Sequence, residues 1–218
     1  MTKHFLKELE TIKKRILTLG SMVEDLVHDS VQAVDRVDAD LADLIIKKDS
    51  EIDDTEVDIE EECLKVLALH QPVAVDLRFI IAVIKINNEL ERIGDQAVNT
   101  AQRVQVIAKR TKPPFWYDYS EMGEKAQKML RMSLDALVNL DVDQAYRVIT
   151  MDDEVDRIKK DAYDKIKQAI KDLPERVGYY INLLLISRHL ERLADHATNI
   201  AEEVIYLVEG EIFRHAEY

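Results

Sequence analysis

The sequence predicts an all-α protein built as two tandem three-helix bundles that are related by internal duplication. The 218 residues include only five glycines and four prolines, and long stretches are filled with residues that favour helices. Two thirteen-residue stretches, which begin at Glu89 and His189, are identical at seven positions. We therefore expect each half of the chain to supply one bundle.

The first half is expected to form three long helices. Apolar residues recur at helical spacing over residues 2–36. A second helix starts with Asp38 or Asp40 as its N-cap and ends just before Pro72, which forces the chain out of helical geometry. A third helix follows over about residues 73–110. Because the connections are only a few residues long, neighbouring helices fold back antiparallel.

A proline-rich and aromatic stretch at residues 111–120 breaks the helical pattern and is predicted to link the halves. We expect its aromatic rings to pack against a bundle surface rather than to bind a ligand. The second half repeats the plan in three helices, at about residues 121–140, 142–172 and 174–210. The domains expected are a first bundle, a linker and a second bundle, at residues 1–110, 111–120 and 121–218.

Charge and composition exclude several classes of function. Lysine and arginine number 30 against 43 acidic residues, for a net charge of −13, so the field of the molecule repels nucleic acid and anionic lipid. No glycine-rich loop is present that could cradle a nucleotide phosphate. The single cysteine, Cys63, is expected in the core. Apolar runs are too short to cross a bilayer and the N-terminus lacks a signal-peptide pattern, so we expect a cytoplasmic protein without membrane insertion.

Each repeated stretch carries Glu, Asp and Asn at positions i, i+4 and i+8, which fall in one stripe along a helix. The stripe continues an apolar stripe, so we expect it to face the bundle interior or its edge. The preceding helix of each half adds two Asp residues at i, i+4. The resulting candidate metal ligands are Asp49, Asp53, Glu91 and Asp95 in the first half, and Asp152, Asp156, Glu191 and Asp195 in the second.

Four converging carboxylates repel one another and call for a counter-charge, either Arg92 and Arg192 or a bound cation. Oxygen ligands suit Mg²⁺, Mn²⁺, Ca²⁺ or iron. Asn99 and Asn199 would then add an amide oxygen, or would instead cap a neighbouring backbone. The alternative is that the carboxylates form inter-helix salt bridges, each worth about 0–1 kcal/mol at a surface.

These motifs resemble those of the PhoU family of phosphate-uptake regulators: Glu-Arg-x-x-Asp-x-x-x-Asn in the third helix of each half and Asp-x-x-x-Asp in the second. The resemblance covers essentially the whole chain. It implies a non-enzymatic, commonly dimeric accessory protein of phosphate-specific transport. Such a protein negatively regulates the phosphate response by contacting a sensor histidine kinase and the ATP-binding subunit of the phosphate ABC transporter.

The resemblance also implies metal clusters, sometimes iron, on the acidic motifs, which fall on the same eight carboxylates. Iron, manganese and magnesium are the candidate ions. Lys159 stands where the first half has Glu56, so the two sites are free to differ in metal number or affinity. His189 and His196 lie on the face roughly opposite to Glu191, where we expect a surface role rather than ligation.

Two other functions remain open. A di-iron or di-manganese carboxylate enzyme would also place acidic residues on bundle helices, but that class uses Glu-x-x-His, and no Glu in this chain is followed by His three residues later. A metal-free helical adaptor is the third possibility. Metal content would separate the adaptor from the regulator, and oxidase activity would identify the enzyme.

Overall fold

The computed structural model of the chain describes residues 3–210, which form six α-helices and one turn of 3₁₀ helix without a strand. The elements are α1 (Lys3–Arg36), α2 (Ala39–His70), α3 (Ala74–Ala108), α4 (Ser120–Asn139), α5 (Val142–Asp172), the 3₁₀ turn (Pro174–Arg176) and α6 (Val177–Glu209). The predicted all-α class and the duplicated three-helix plan are confirmed. The expected domain boundaries stay a prediction, and their ends at residues 1–2 and 211–218 lie outside the described residues.

The second helix of each half begins with the same N-cap. Asp38 Oδ1 accepts a hydrogen bond from the Leu41 backbone N–H at 3.0 Å, and Asp141 Oδ1 accepts one from the Gln144 N–H at 2.9 Å. Each cap satisfies a backbone donor that the first helical turn leaves unpaired. Of the two N-caps expected for α2, Asp38 is therefore the one that is used.

One apolar core runs through both halves, and all six α-helices contribute to it. Among its members with no solvent exposure are Ile12, Ile45, Ile86, Leu130, Ile166 and Ile200. A fully buried aliphatic side chain contributes about 1.5–3 kcal/mol relative to an exposed one. The most extensive contact between any two helices is that of α3 with α6, which joins the halves. None of the described helices has the length and apolar character needed to span a membrane.

The connection between α3 and α4 is pinned by its aromatic rings, as expected. Phe115 lies against Tyr180 and Trp116 against Tyr179, with ring centroids 6.3 and 6.4 Å apart. Tyr119 is buried and donates a hydrogen bond from its hydroxyl to a backbone carbonyl of α6. These contacts fix the start of α4 against α6.

Cys63 is fully buried, as the sequence predicts. Burial raises the pKa of its thiol to about 12, and the nearby charges of Glu62 and Glu60 add to the rise. A thiol held in its neutral form is a poor nucleophile and a poor metal ligand. The residue therefore belongs to the core and takes no part in the acidic clusters.

Two glycines within helices differ in the space around them. A Cβ on Gly94 would meet Ile52 Cγ2 at 3.5 Å, an ordinary contact, and the equivalent residue of the second half is Ala194. A Cβ on Gly123 would lie 2.6 Å from Val31 Cγ1, because α1 and α4 cross closely there. Of these two positions, only Gly123 requires a residue without a side chain.

Replacing Gly94 with alanine is expected to raise the free energy of unfolding by about 0.5–1 kcal/mol, because alanine loses less backbone freedom in a helix and its methyl group has room here. Gly123→Ala is the matched control and should lower the free energy of unfolding by about 1–3 kcal/mol through overpacking. Urea unfolding followed by circular dichroism measures both. If the free energy of unfolding changed in the same direction in both variants, this account of the packing would be contradicted.

Candidate metal centres

The first acidic cluster lies where α2 packs beside α3. Asp49 and Asp53 come from α2, and Glu91 and Asp95 come from α3. Burial raises the pKa of Asp49 to about 6, and the charges of Asp53 and Asp95 add to that rise. The pKa values of Glu91 and Asp95 are raised by burial and by neighbouring carboxylates in the same way. The structure thus brings the four predicted carboxylates of the first half within electrostatic reach of one another.

Glu56 is a fifth carboxylate at the edge of this cluster, and its pKa is raised by burial and by neighbouring acids. The buried Asn87 donates from Nδ2 to the Glu56 carbonyl oxygen at 2.9 Å and to Glu56 Oε1 at 3.0 Å. Within the described residues, Asn87 Oδ1 is buried without a hydrogen-bond partner. The sequence singles out Glu56 only as the counterpart of Lys159. The signal that links it to the site is the position of Asn87, one turn before Glu91 on the same stripe.

The second acidic cluster lies between α5 and α6, with Asp152 and Asp156 on one helix and Glu191 and Asp195 on the other. Burial and then the charges of its three neighbours raise the pKa of Asp152 to about 7. The pKa of Asp195 rises to about 6, again chiefly through burial. All four predicted carboxylates of this half therefore share one electrostatic environment.

A lysine supplies positive charge inside the second cluster. Lys159 Nζ forms an ion pair with Glu191 and lies 3.9 Å from Asp156 Oδ1. Because Glu56 occupies the equivalent position in the first half, only the second cluster has a lysine in direct ion-pair contact with one of its four carboxylates. The two clusters are equivalent in the positions of their four Asp and Glu ligand candidates and unequal in net charge.

The predicted counter-charges lie outside the clusters or at their rims. Arg92 is exposed, and its Nη1 is 3.7 Å from Glu89 Oε1. Arg192 is exposed as well. Asn199 donates from Nδ2 to Glu89 Oε2 at 3.0 Å, and Asn99 is half-buried. Participation of these four side chains in metal binding or charge neutralisation stays a prediction.

The expectation that His189 and His196 lie at the surface is wrong. His196 Nδ1 is 2.7 Å from Glu89 Oε2, and His189 Nδ1 is 3.0 Å from Gln96 Oε1. Glu89 and His189 occupy equivalent positions of the two repeats, and so do Gln96 and His196. The two pairs are therefore related by the duplication, and both lie where α3 contacts α6. The helix face opposite the carboxylates is covered by the other half, which the pattern of one helix alone does not reveal.

Glu89 is charged and held between the halves. Burial opposes its ionisation, but hydrogen bonds with His196 and Asn199 outweigh this effect and lower the pKa of its carboxyl group. Burial, together with the positive charges of nearby arginines, lowers the pKa of His189 to about 4. The polar pairs across the contact therefore specify how α3 and α6 are aligned along each other, and so how the two halves fit together.

The donor chemistry of the first cluster fits a hard cation. Its ligands would be carboxylate oxygens whose mutual repulsion a positive ion would relieve. The amide of Asn87 contacts Glu56 at the cluster edge, and its oxygen has no hydrogen-bond partner among the described residues. Across residues 3–210, no group of three or more His, Cys, Asp or Glu side chains is arranged so that it could hold a metal ion. A ligand set would therefore have to assemble by rotation of side chains, and Asp53 and Asp95 are exposed.

The comparisons with known proteins match this architecture. The PhoU domain family model matches residues 16–104 and again residues 119–204. A Pseudomonas aeruginosa protein described as a phosphate-specific transport system accessory protein PhoU homolog is 38% identical over 99% of this chain and 89% of its own length. The Escherichia coli protein described as phosphate-specific transport system accessory protein PhoU is 32% identical, over 97% and 88%.

Solved structures agree. The crystal structure of PhoU from Pseudomonas aeruginosa superposes with a TM-score of 0.92 at 38% identity, covering 95% of this chain and all of that one. The phosphate transport system regulatory protein PhoU from Streptococcus pneumoniae has a TM-score of 0.87 at 30% identity, covering 95% and 98%. With both repeats matched and the helical fold shared over nearly the full length, the chain belongs to the PhoU family.

Proposed function

We propose that this protein is an accessory protein of a phosphate-specific transport system and a negative regulator of the phosphate-starvation response. The main support is that relatives described as accessory proteins of such systems align with 97–99% of the chain. Its partners would be the ATP-binding subunit of the phosphate ABC transporter and a sensor histidine kinase. It would bind both on the cytoplasmic side of the membrane. The protein would act as a homodimer and without catalysis.

We further propose that the two acidic clusters bind iron, manganese or magnesium. Asp49, Asp53, Glu91 and Asp95 would hold the ion in the first half. The equivalent four carboxylates would hold it in the second, where Lys159 competes for Glu191. Raised pKa values in both clusters support this, because they show carboxylates whose charges are poorly compensated by the chain itself. A bound cation would supply that charge and tie α2 to α3 and α5 to α6.

The double variant Asp95→Ala and Asp195→Ala is expected to lose at least half of the metal that the wild type carries, because each substitution removes one carboxylate ligand from one cluster. Elemental analysis of protein purified without chelator, and again after incubation with iron, manganese or magnesium, measures this loss. Circular dichroism should show unchanged helix content. Asp164→Ala, which changes an exposed carboxylate of α5 outside the clusters, is the control and should retain its metal.

Two results would decide against the metal proposal. Full retention of metal by the double variant would remove the assignment to these carboxylates. A wild-type protein that binds none of the three ions would leave the metal-free adaptor, in which ion pairs such as that of Lys159 with Glu191 hold the helices together. Neither result would touch the proposed accessory role.

In cation-free protein, the contribution of the second cluster to the free energy of unfolding is expected to fall as the pH rises from about 4 to about 7. The folded pKa of Asp152 is about 7 and that of Asp195 about 6, against 3.8 for an ordinary aspartate. In this interval the folded protein holds protons on these two carboxyl groups that the unfolded chain has released. The stabilisation of the folded state by these protons is complete below about pH 4 and is lost as the pH rises through about 6–7.

Asp152→Asn should flatten this pH dependence, because an amide cannot titrate. Asp164→Asn on the same helix should leave it as in the wild type. Urea unfolding of chelator-treated protein between pH 4 and 8 provides the comparison. If Asp152→Asn kept the full wild-type slope, the electrostatic description of the second cluster would be incorrect.

In cells with abundant phosphate, deletion of this protein is expected to switch on the phosphate-starvation genes, because a negative regulator is then missing. The wild-type protein supplied in trans should restore repression. Size-exclusion chromatography with light scattering should show a homodimer, and complexes with the transporter ATP-binding subunit and with the cytoplasmic part of the kinase. A deletion strain with unchanged starvation-gene expression would contradict the regulatory role.

A further inference from the structure

A groove of about 1030 Å³ runs between α5 and α6 beside the second acidic cluster. We call it the α5–α6 groove. Its floor is partly apolar, with Leu184 and Leu185, and Tyr163 projects into it with a little over half of its surface exposed. Such an exposed aromatic ring beside a long groove offers a contact for a side chain of another molecule.

The lining of this groove has an excess of positive charge, with five lysine and arginine side chains against three carboxylates of the second cluster, Asp156, Glu191 and Asp195. Arg188 and Arg192 are one turn apart on α6, and Arg157 and Lys160 are about one turn apart on α5. All four are exposed. Among the ion pairs within 4.0 Å that the described residues form, none involves any of these four cations. Unpaired cations gathered at one place are unexpected in a chain of net charge −13.

The duplication shows that the fold does not require three of these four cations; only Arg192 has a cationic equivalent in the first half, Arg92. The first half places Asp54, Val57 and Asn88 where the second half has Arg157, Lys160 and Arg188. A cavity of about 670 Å³ beside the first cluster is lined by α2, α3 and α6, and it has two cations, Lys85 and Arg92, against five carboxylates, from Glu56, Glu60, Glu89, Glu202 and Glu203. The equivalent pair α2 and α3 therefore packs without the cations at positions 157, 160 and 188, so the positive charge at these positions of the α5–α6 groove calls for an explanation outside folding.

The dimensions of the groove indicate the kind of ligand. Along α6 its lining runs from Leu184 to Asp195, which at 1.5 Å per residue is about 16 Å. An extended peptide of about five residues covers that length at about 3.3 Å per residue. A lone inorganic anion would contact only a small part of it and would leave Tyr163 and the leucines unused.

We propose that the α5–α6 groove binds an acidic, extended segment of a partner protein. Its carboxylates would meet the two rows of cations, and one apolar or aromatic side chain would pack on Tyr163. This inference rests on the accessory role proposed above, since such a protein works through partners. It requires no metal, because the cations belong to the chain.

Fluorescence anisotropy can test the proposal with a labelled eight-residue peptide that carries five Asp or Glu residues and one Trp. The wild-type protein should bind it, with an affinity that falls as salt is raised. The double variant Arg188→Glu and Arg192→Glu should bind at least about tenfold more weakly, because two attractive pairs become repulsive. The matched control is the double variant Lys128→Glu and Arg147→Glu, which makes the same change of charge at two exposed cations of the second half outside the groove and should bind like the wild type.

Several outcomes would overturn the proposal. These are no peptide binding at low salt, binding by the Arg188→Glu and Arg192→Glu variant equal to that of the wild type, or an equal loss in the Lys128→Glu and Arg147→Glu control. Complete displacement of the peptide by millimolar inorganic phosphate would assign the groove to a small anion instead. Binding to vesicles of anionic phospholipid that depends on Arg188 and Arg192 would assign it to a membrane. The assay measures neither transport nor gene expression, so its failure would leave the accessory role standing.

Discussion

The mutual burial of α3 and α6 is the contact on which the rest of the molecule depends. It joins the two halves into one apolar core. Its polar pairs, Glu89 with His196 and Gln96 with His189, fix how α3 and α6 are aligned along each other. Because this contact uses one face of each helix, the opposite faces are left to α2 and α5 and to solvent. The acidic stripes lie on those outer faces, so the duplication produces two separate clusters rather than one shared site.

Each acidic cluster carries an electrostatic cost that the fold tolerates. Partial burial and mutual repulsion raise the pKa values of Asp49, Asp152 and Asp195, which means that the ionised carboxylates are less stable here than in water. A protein selected only for stability would gain by replacing some of them. Their retention at equivalent positions of both repeats is therefore more easily understood as a requirement of function than of folding.

The two halves have kept one backbone plan and have changed its charge. Lys159 reduces the negative charge of the second cluster, whereas Glu56 increases that of the first. The cavities beside the clusters differ in the same direction, since five carboxylates and two cations line the first, whereas five cations and three carboxylates line the second. A duplicated scaffold with opposite local charge can present two different surfaces to two different partners.

The sequence by itself determined the helices, their order, the duplication and the positions of the eight carboxylates, because helical periodicity, prolines and capping residues are local signals. The N-cap at Asp38 and the buried Cys63 follow from the same signals. Only the tertiary structure decided that His189 and His196 are interface residues, that Glu56 joins the first cluster through Asn87, and that Lys159 rather than an arginine pairs with Glu191. These contacts join residues 31 to 107 positions apart on different helices, and they depend on how the helices pack rather than on the period of any one of them.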